Sequence, residues 1–466
     1  MGFCRGTTRS RRLVATLGLA AVAASTGMAT WPSTAGAAAT TSTPTIQKTL
    51  VIIGQWAGQP TGPSYVITPA QAMTKVFTGS DSANTYFNEV SGATMQLGGI
   101  QNPAGDVVGP VTLTGTPGCT SDLGQAEADA KALGYDYTLY RHVVLYLDSG
   151  ETCGGGVSSL GGDWTVVSHY VDQQILTHEL GHQLDNGHAG ALTCKDSAGN
   201  LVPLGASGAT NVSGVPSNCT TNAYGDPYNT MGAIAEHWYD PAQLIHQGWI
   251  TASQVTTPKA TGTYTLDPYE ATAAATRTIG IPINAPLHGA TLYLENRVNS
   301  GAYDQFGTDP VTTGVLLEIA DGSASEQSLI NMDPADSSFH HAALQVGQSF
   351  TYPGLATVTL LSKDASTGIA TVKVVLIPTW VTPKALPAAT LGTAYSTTIS
   401  GKGGTPSFSW LVDGGALPPG MKVAAASTRS ATLSGTPTTA GTYTFKLRLR
   451  DAARQDIWRN FTVTVS

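Results

Sequence analysis

The stretch His178-Glu179-Leu180-Gly181-His182, followed by His188, decides how this chain is read. Two histidines four positions apart on a helix stand one turn above each other, so both imidazoles can reach one metal ion. Glu179 sits beside the first of them, placed to accept a proton from a metal-bound water. His188 comes six residues after His182, too far for the next position on the same face, so the chain must turn to deliver it. Leu176, Leu180 and Leu184 recur every four residues and form one apolar stripe. At about 100° per residue, His178 and His182 project from the opposite side, which predicts a leucine face on a core and a histidine face on a cleft. Gly181 costs about 1 kcal/mol against Ala in a helix interior, which predicts a close backbone approach there.

An HExxH pentapeptide alone also fits an ordinary amphipathic helix with two solvated histidines. The third histidine weighs against that, and so does a second segment, Tyr224-Gly225-Asp226-Pro227-Tyr228-Asn229-Thr230-Met231-Gly232. A methionine-bearing turn some tens of residues after an extended zinc helix is a metzincin signature, with Met231 packing under the histidines and not ligating. Thr177–Gly190 together with Tyr224–Gly232 resembles the gametolysin family of secreted metalloproteases. Thr49–Gly54 as an opening strand, Cys153-Gly154-Gly155 and Gln247-Gly248-Trp249-Ile250 agree with it over roughly residues 48–375. The resemblance implies an α/β (α+β) metzincin-like protease domain with a zinc helix and a Met-turn. It also implies one catalytic Zn²⁺ on His178, His182 and His188, with Glu179 as general base. The chain departs where the family usually has a helix-ending glycine and this sequence has Asp185. Either Asp185 itself turns left-handed, at about 1 kcal/mol of strain, or the turn slips to Asn186-Gly187.

The first 37 residues read as an export signal: Arg5, Arg9, Arg11 and Arg12, an apolar Leu13–Ala29, then the small-residue site Ala35-Gly36-Ala37. The apolar run is too short to anchor a mature protein, so a secreted, extracellular protein is expected. Removal of Cys4 leaves Cys119, Cys153, Cys194 and Cys219, which allow three pairings. The favoured set is Cys119–Cys153 and Cys194–Cys219, the second stapling the long loop between His188 and the methionine turn. A four-thiolate zinc site lacks the paired CxxC spacing. A net charge of −8 with 12% charged residues and no basic, aromatic-interleaved patch excludes a nucleic-acid binder.

The expected organisation is a protease domain over 46–256, a β-sandwich over 257–377, a proline-bearing linker over 378–387 and a small Ig-like β-sandwich over 388–466. In the last, Tyr443, Phe445, Leu447 and Leu449 alternate with polar residues, and Leu433–Phe445 resembles bacterial Ig-like repeats. Glu295 and Arg297 read as an ion pair in preference to substrate contacts, and His340 and His341 as loop histidines. The functional expectation is a monomeric secreted zinc endopeptidase acting on protein or peptide substrates, with no membrane anchor. Structural calcium has no recognisable motif to place it. The alternatives are an inactive secreted adhesion or binding protein on a protease-like fold, and a zinc hydrolase of non-peptide amides. The intact Glu179 and ligand set argue against the first, and the methionine turn against the second.

Overall fold

The computed structural model describes residues 43–60, 66–118, 122–147, 155–168, 173–202, 204, 218–232, 236–283, 290–320, 327–352 and 354–466. The chain is β-rich and builds several sheets. The first forms around strand β1 (Thr45–Trp56), whose residues Leu50, Val51, Ile52 and Ile53 are all buried. An unbroken apolar run suits a parallel strand covered on both faces. Val51 and Ile53 enter one core with Leu176, Leu180 and Met231, while Leu50 and Ile52 enter another with Leu145, Ala126 and Ala130. β4 (His142–Leu147) pairs in parallel with β1 and with β6 (Trp164–Ser168). β2 (Met95–Gly98) and β3 (Asp106–Leu113) also run parallel to β1. β5 (Gly156–Ser158) is antiparallel and forms the far edge beside β6.

Local capping fixes the helices. Thr68 with Pro69 at the first position opens α1 (Pro69–Met73), and the Ser82 side chain caps α2 (Ala83–Val90). α3 (Leu123–Ala132) ends before Gly134, which is left-handed at φ 95°. α4 (Gln173–Gln183) carries the two close-spaced histidines and packs on β5, β6 and α2. Asp240 opens α5 (Pro241–His246) with a reciprocal capping box to Gln243.

The second sheet crosses the expected boundary at 256/257. It contains β7 (Ala189–Lys195), β8 (Leu201–Val202), β9 (Cys219–Asn222), β10 (Val255–Thr256), β12 (Thr278–Pro282), β13 (Thr291–Glu295), β14 (Leu316–Ala320) and β15 (Gln327–Ile330). β7 begins directly after His188 and pairs in parallel with β15, Ala189 opposite Gln327. The strand leaving the histidine turn therefore belongs to the sheet of the following segment. A short strand's partner is chosen by tertiary packing, which local pattern does not carry. A third sheet, β11 (Gly262–Leu266), β16 (Ser349–Tyr352), β17 (Ala356–Lys363) and β18 (Ala370–Leu376), shares a core with the second through Leu266, Leu294, Leu317, Val358 and Val372.

The C-terminal part has two small sheets. One contains β19 (Thr379–Trp380), β20 (Tyr395–Lys402), β22 (Met421–Ala425) and β23 (Ser430–Gly435); the other contains β21 (Ser409–Gly415), β24 (Gly441–Arg450) and β25 (Asp456–Val465). Phe445, Leu447, Phe461 and Val463 fill the space between them. The stretch 378–387, expected as a short stiff linker, takes part in this unit. Trp380 pairs within the first sheet, and Leu386 is buried in the core. Trp410 packs against that core, whereas Trp458 is 47% exposed. No helix among the described residues is long and apolar enough to cross a membrane.

Candidate metal centre

The structure brings His178, His182 and His188 together. One ring nitrogen from each lies within 4.8 Å of the others, and the ring centroids are 4.8 to 5.3 Å apart. His178 and His182 follow from their spacing on α4. The sequence pattern predicts a histidine face open to a cleft, but Leu176 through Gln183 are all buried, the histidines included.

His188 reaches the cluster through the turn after α4. Asp185 is the left-handed residue, at φ 68°. Asn186 N donates to Gly181 O at 3.1 Å and Asp185 N to His182 O at 2.9 Å, the paired bonds of a Schellman cap. Asp therefore does the work usually given to glycine, and no slip to Asn186-Gly187 occurs. The same turn orients a ligand, because Asn186 O accepts from His182 Nδ1 at 2.8 Å.

The methionine turn serves the first histidine in a similar way. Thr230 O accepts from His178 Nδ1 at 2.9 Å and from Gln174 Nε2 at 3.0 Å. With the Nδ1 proton on a carbonyl, Nε2 of a neutral ring is left as the lone-pair nitrogen. Met231 is fully buried, and a Cβ built on Gly181 would lie 2.6 Å from its sulfur and 2.8 Å from Tyr239 Oη. At Gly181 the turn and Tyr239 thus come too close to the helix for a side chain to fit without displacement. Ala189 N donates to Met231 O at 3.0 Å, tying the turn to the residue after His188.

His182 Nε2 and His188 Nε2 stand 3.1 Å apart. Two nitrogens bound to one tetrahedral ion at about 2.0–2.1 Å would be about 3.3 Å apart, so this pair is spaced for one zinc, and three imidazoles are a donor set whose chemistry suits that ion. Burial, then the neighbouring His182, holds His178 down to about 3, with His188 adding and the Thr230 carbonyl opposing. Burial and His182 hold His188 at about 4, and burial lowers His182 against the pull of the Asn186 carbonyl. All three rings are neutral near pH 7, the form that ligates metal.

Glu179 is 7% exposed, and burial pushes its carboxyl up to about 8. A divalent ion among the imidazoles would draw that value back down and favour the carboxylate. Its side chain lies against β5: a Cβ on Gly156 would come within 2.7 Å of Glu179 Cγ. Tyr224 is the residue that sequence reasoning left without a role. Its ring lies 4.1 Å from that of His188, and burial, then the Glu179 carboxylate, raises its phenol. It stood in the quoted turn segment, but no fixed spacing links it to the histidines.

Of the proposed disulfides, Cys194–Cys219 is formed and pins β9 onto β7. Cys119 and Cys153 lie outside the described residues, as does the signal segment. Glu295 and Arg297 form a buried ion pair. His340 and His341 pair with Asp309 at 2.9 Å and Asp336 at 2.8 Å.

Comparison with known proteins adds one assignment. Residues 375–466 match the family model described as "Putative Ig domain". This segment is an immunoglobulin-like domain. It begins within β18, upstream of the boundary expected at 388. Among solved structures, a "putative alpha-galactosidase" of Bacteroides fragilis is 20% identical at TM-score 0.16, covering 19% of this chain and 17% of its own. The titin M3 domain is 17% identical at TM-score 0.16, covering 19% of this chain and 96% of its own. An endo-fucoidan hydrolase of glycoside hydrolase family 107 is 15% identical at TM-score 0.19, covering 46% of this chain and 27% of its own. Scores this low carry nothing about the chain as a whole. No curated protein matches it.

Proposed function

We propose that this chain is a secreted zinc-dependent endopeptidase of metzincin type, acting on protein or peptide substrates. The observation that carries the reading is the convergence of His178, His182 and His188 within 4.8 Å, with Glu179 buried one residue from the first. The left-handed turn at Asp185 and the contact of Met231 with Gly181 support the metzincin comparison.

Zinc, when bound, would polarise the scissile carbonyl and make a coordinated water acidic enough to attack near neutral pH. The protein's own part is arrangement and proton transfer. Thr230 O and Asn186 O hold the Nδ1 protons of His178 and His182, so their Nε2 atoms face one point. Glu179 accepts the proton of the attacking water on its carboxylate and returns it to the leaving amine. Gly156, having no side chain, leaves room for that carboxylate. The low exposure of the site keeps bulk water from competing for the proton.

The test is Glu179→Gln in the mature chain. Metal analysis should give one zinc per chain in both proteins, and cleavage of a casein-type substrate should fall by at least about 100-fold in the variant. Retained cleavage would remove Glu179 from the mechanism, and a wild-type chain that binds no zinc would end the reading.

A further inference from the structure

Behind the histidine site lies a group of carboxylates that the proposed peptidase does not use. Glu295 ends β13 and Glu318 lies on β14. Tyr293 faces Glu318 in the register and Glu295 faces Leu316, so the two glutamates are diagonal neighbours on one face. Asp240 caps α5, and Asp226 sits in the turn that carries Met231. All four are at most 2% exposed.

The nearby cations do not balance them. Arg297 pairs through Nε with Glu295, through Nη1 with Asp304 at 2.6 Å, and through Nη2 with Trp238 O at 3.0 Å. Arg277 bonds the carbonyls of Tyr269 and Trp249, and Lys363 those of Arg297, Val311 and Gly314. Neutral donors reach Asp240 from Asn229 and Gln243, and Asp226 from Tyr228 N. Glu318 receives none of these. Its carboxyl bonds that of Glu295 and lies near those of Asp240 and Asp226, and Oε2 of Glu295 and of Glu318 is buried with no hydrogen-bond partner. Burial, then the carboxylates of Glu295, Asp240 and Asp226, pushes Glu318 well above the ordinary carboxylate range, so without a cation it holds a proton, which a bound ion would displace.

We propose that Glu295 and Glu318 bind a divalent cation of the calcium class, with water relaying it to Asp226 and Asp240. All-oxygen, carboxylate-rich surroundings select a hard cation and not zinc. Only the pair would ligate directly, and water would complete the shell. Among the described residues the histidines are the only three such side chains gathered within 4.8 Å. Calcium accepts about six to eight oxygens, waters included.

The position gives the ion a purpose. Asn229 Nδ2 donates to Asp240 Oδ2 at 3.1 Å, and its Oδ1 accepts from Met231 N at 2.8 Å. Gln243, which caps against Asp240, donates from Nε2 to Gly187 O at 2.9 Å. An ion fixing these carboxylates would brace both the methionine turn and the residue before His188.

The mature chain stripped of metal with EDTA tests this by calorimetric titration and thermal melting with calcium alone, zinc alone, and both. The expected result is one calcium per chain, bound with or without zinc, and a melting temperature raised by calcium. Glu318→Gln should weaken calcium binding at least tenfold and leave the zinc stoichiometry unchanged, whereas His182→Ala should do the reverse. Should Glu318→Gln fail to fold, Glu318→Asp and the wild-type titration decide. Wild-type protein that binds no calcium, or Glu318→Gln that binds it unweakened, would overturn the proposal and leave the two carboxyls sharing a proton. Calcium without zinc would sink the peptidase reading and keep this one.

Discussion

Replacing Gly181 with alanine probes the close packing of α4 against the methionine turn in the candidate active centre. The added methyl would sit 2.6 Å from Met231 Sδ and 2.8 Å from Tyr239 Oη, both below van der Waals contact. Neither neighbour can move cheaply, because both side chains are fully buried and Tyr239 Oη donates to Thr177 O at 3.3 Å. Overpacking of this kind costs about 1–3 kcal/mol. Alanine's better helix propensity returns up to about 1 kcal/mol. The net expectation is a loss of about 1–2 kcal/mol, with the methionine turn pushed off the helix. Because Thr230 O orients His178 from that turn, zinc affinity should fall about tenfold. Gly124 provides the control, being helical with nothing within 4 Å of an added Cβ. Gly124→Ala should be neutral or stabilising by a few tenths of a kcal/mol. Thermal melts and competition titration with a zinc-binding dye measure both effects. If Gly181→Ala is as stable as Gly124→Ala and binds zinc as tightly as wild type, the packing argument is wrong.

Two other perturbations test separate parts of the site. Gly156→Ala would place a methyl 2.7 Å from Glu179 Cγ and 2.8 Å from Oε1. Cleavage should drop at least about tenfold with zinc content unchanged; an unaffected rate would show that Glu179 works from elsewhere. His142 is buried on β4, its Nδ1 against Gln183 Oε1 of α4, and burial holds it at about 4 against an ordinary 6.5. The unfolded chain takes up this proton first as pH falls. The stability from the neutral ring is therefore whole above pH 6.5 and is lost between 6.5 and about 4, a span worth roughly 3 kcal/mol. His142→Gln should melt with a flatter pH dependence than wild type across that window. Parallel slopes would remove His142 from the acid response.

What was legible in the sequence rested on short-range geometry. Four-residue spacing places His178 and His182 on one helical face wherever the helix packs. Thr68-Pro69, Ser82 and Asp240-Pro241 announce helix starts because each cap bonds within three residues of itself. Alternation along Tyr443–Arg450 gave one buried face because a strand repeats every second residue. Cys194–Cys219 was favoured on a different ground, that it staples the long loop after His188.

Only the tertiary structure decided the rest. It set Asp185 as the left-handed residue, drew β7 into the sheet of the following segment, and made 378–387 part of the Ig-like domain. It also laid Tyr224 over His188 and buried Glu295 and Glu318 against each other. At Asp185 the cap bonds are local, three to five residues long, but more than one local turn was compatible with the sequence. The other contacts join residues tens of positions apart, and their energy comes from burial and partner choice, which depend on what the rest of the chain packs there. Local spacing fixes which side chains share a helix or strand face, and only packing fixes what that face meets.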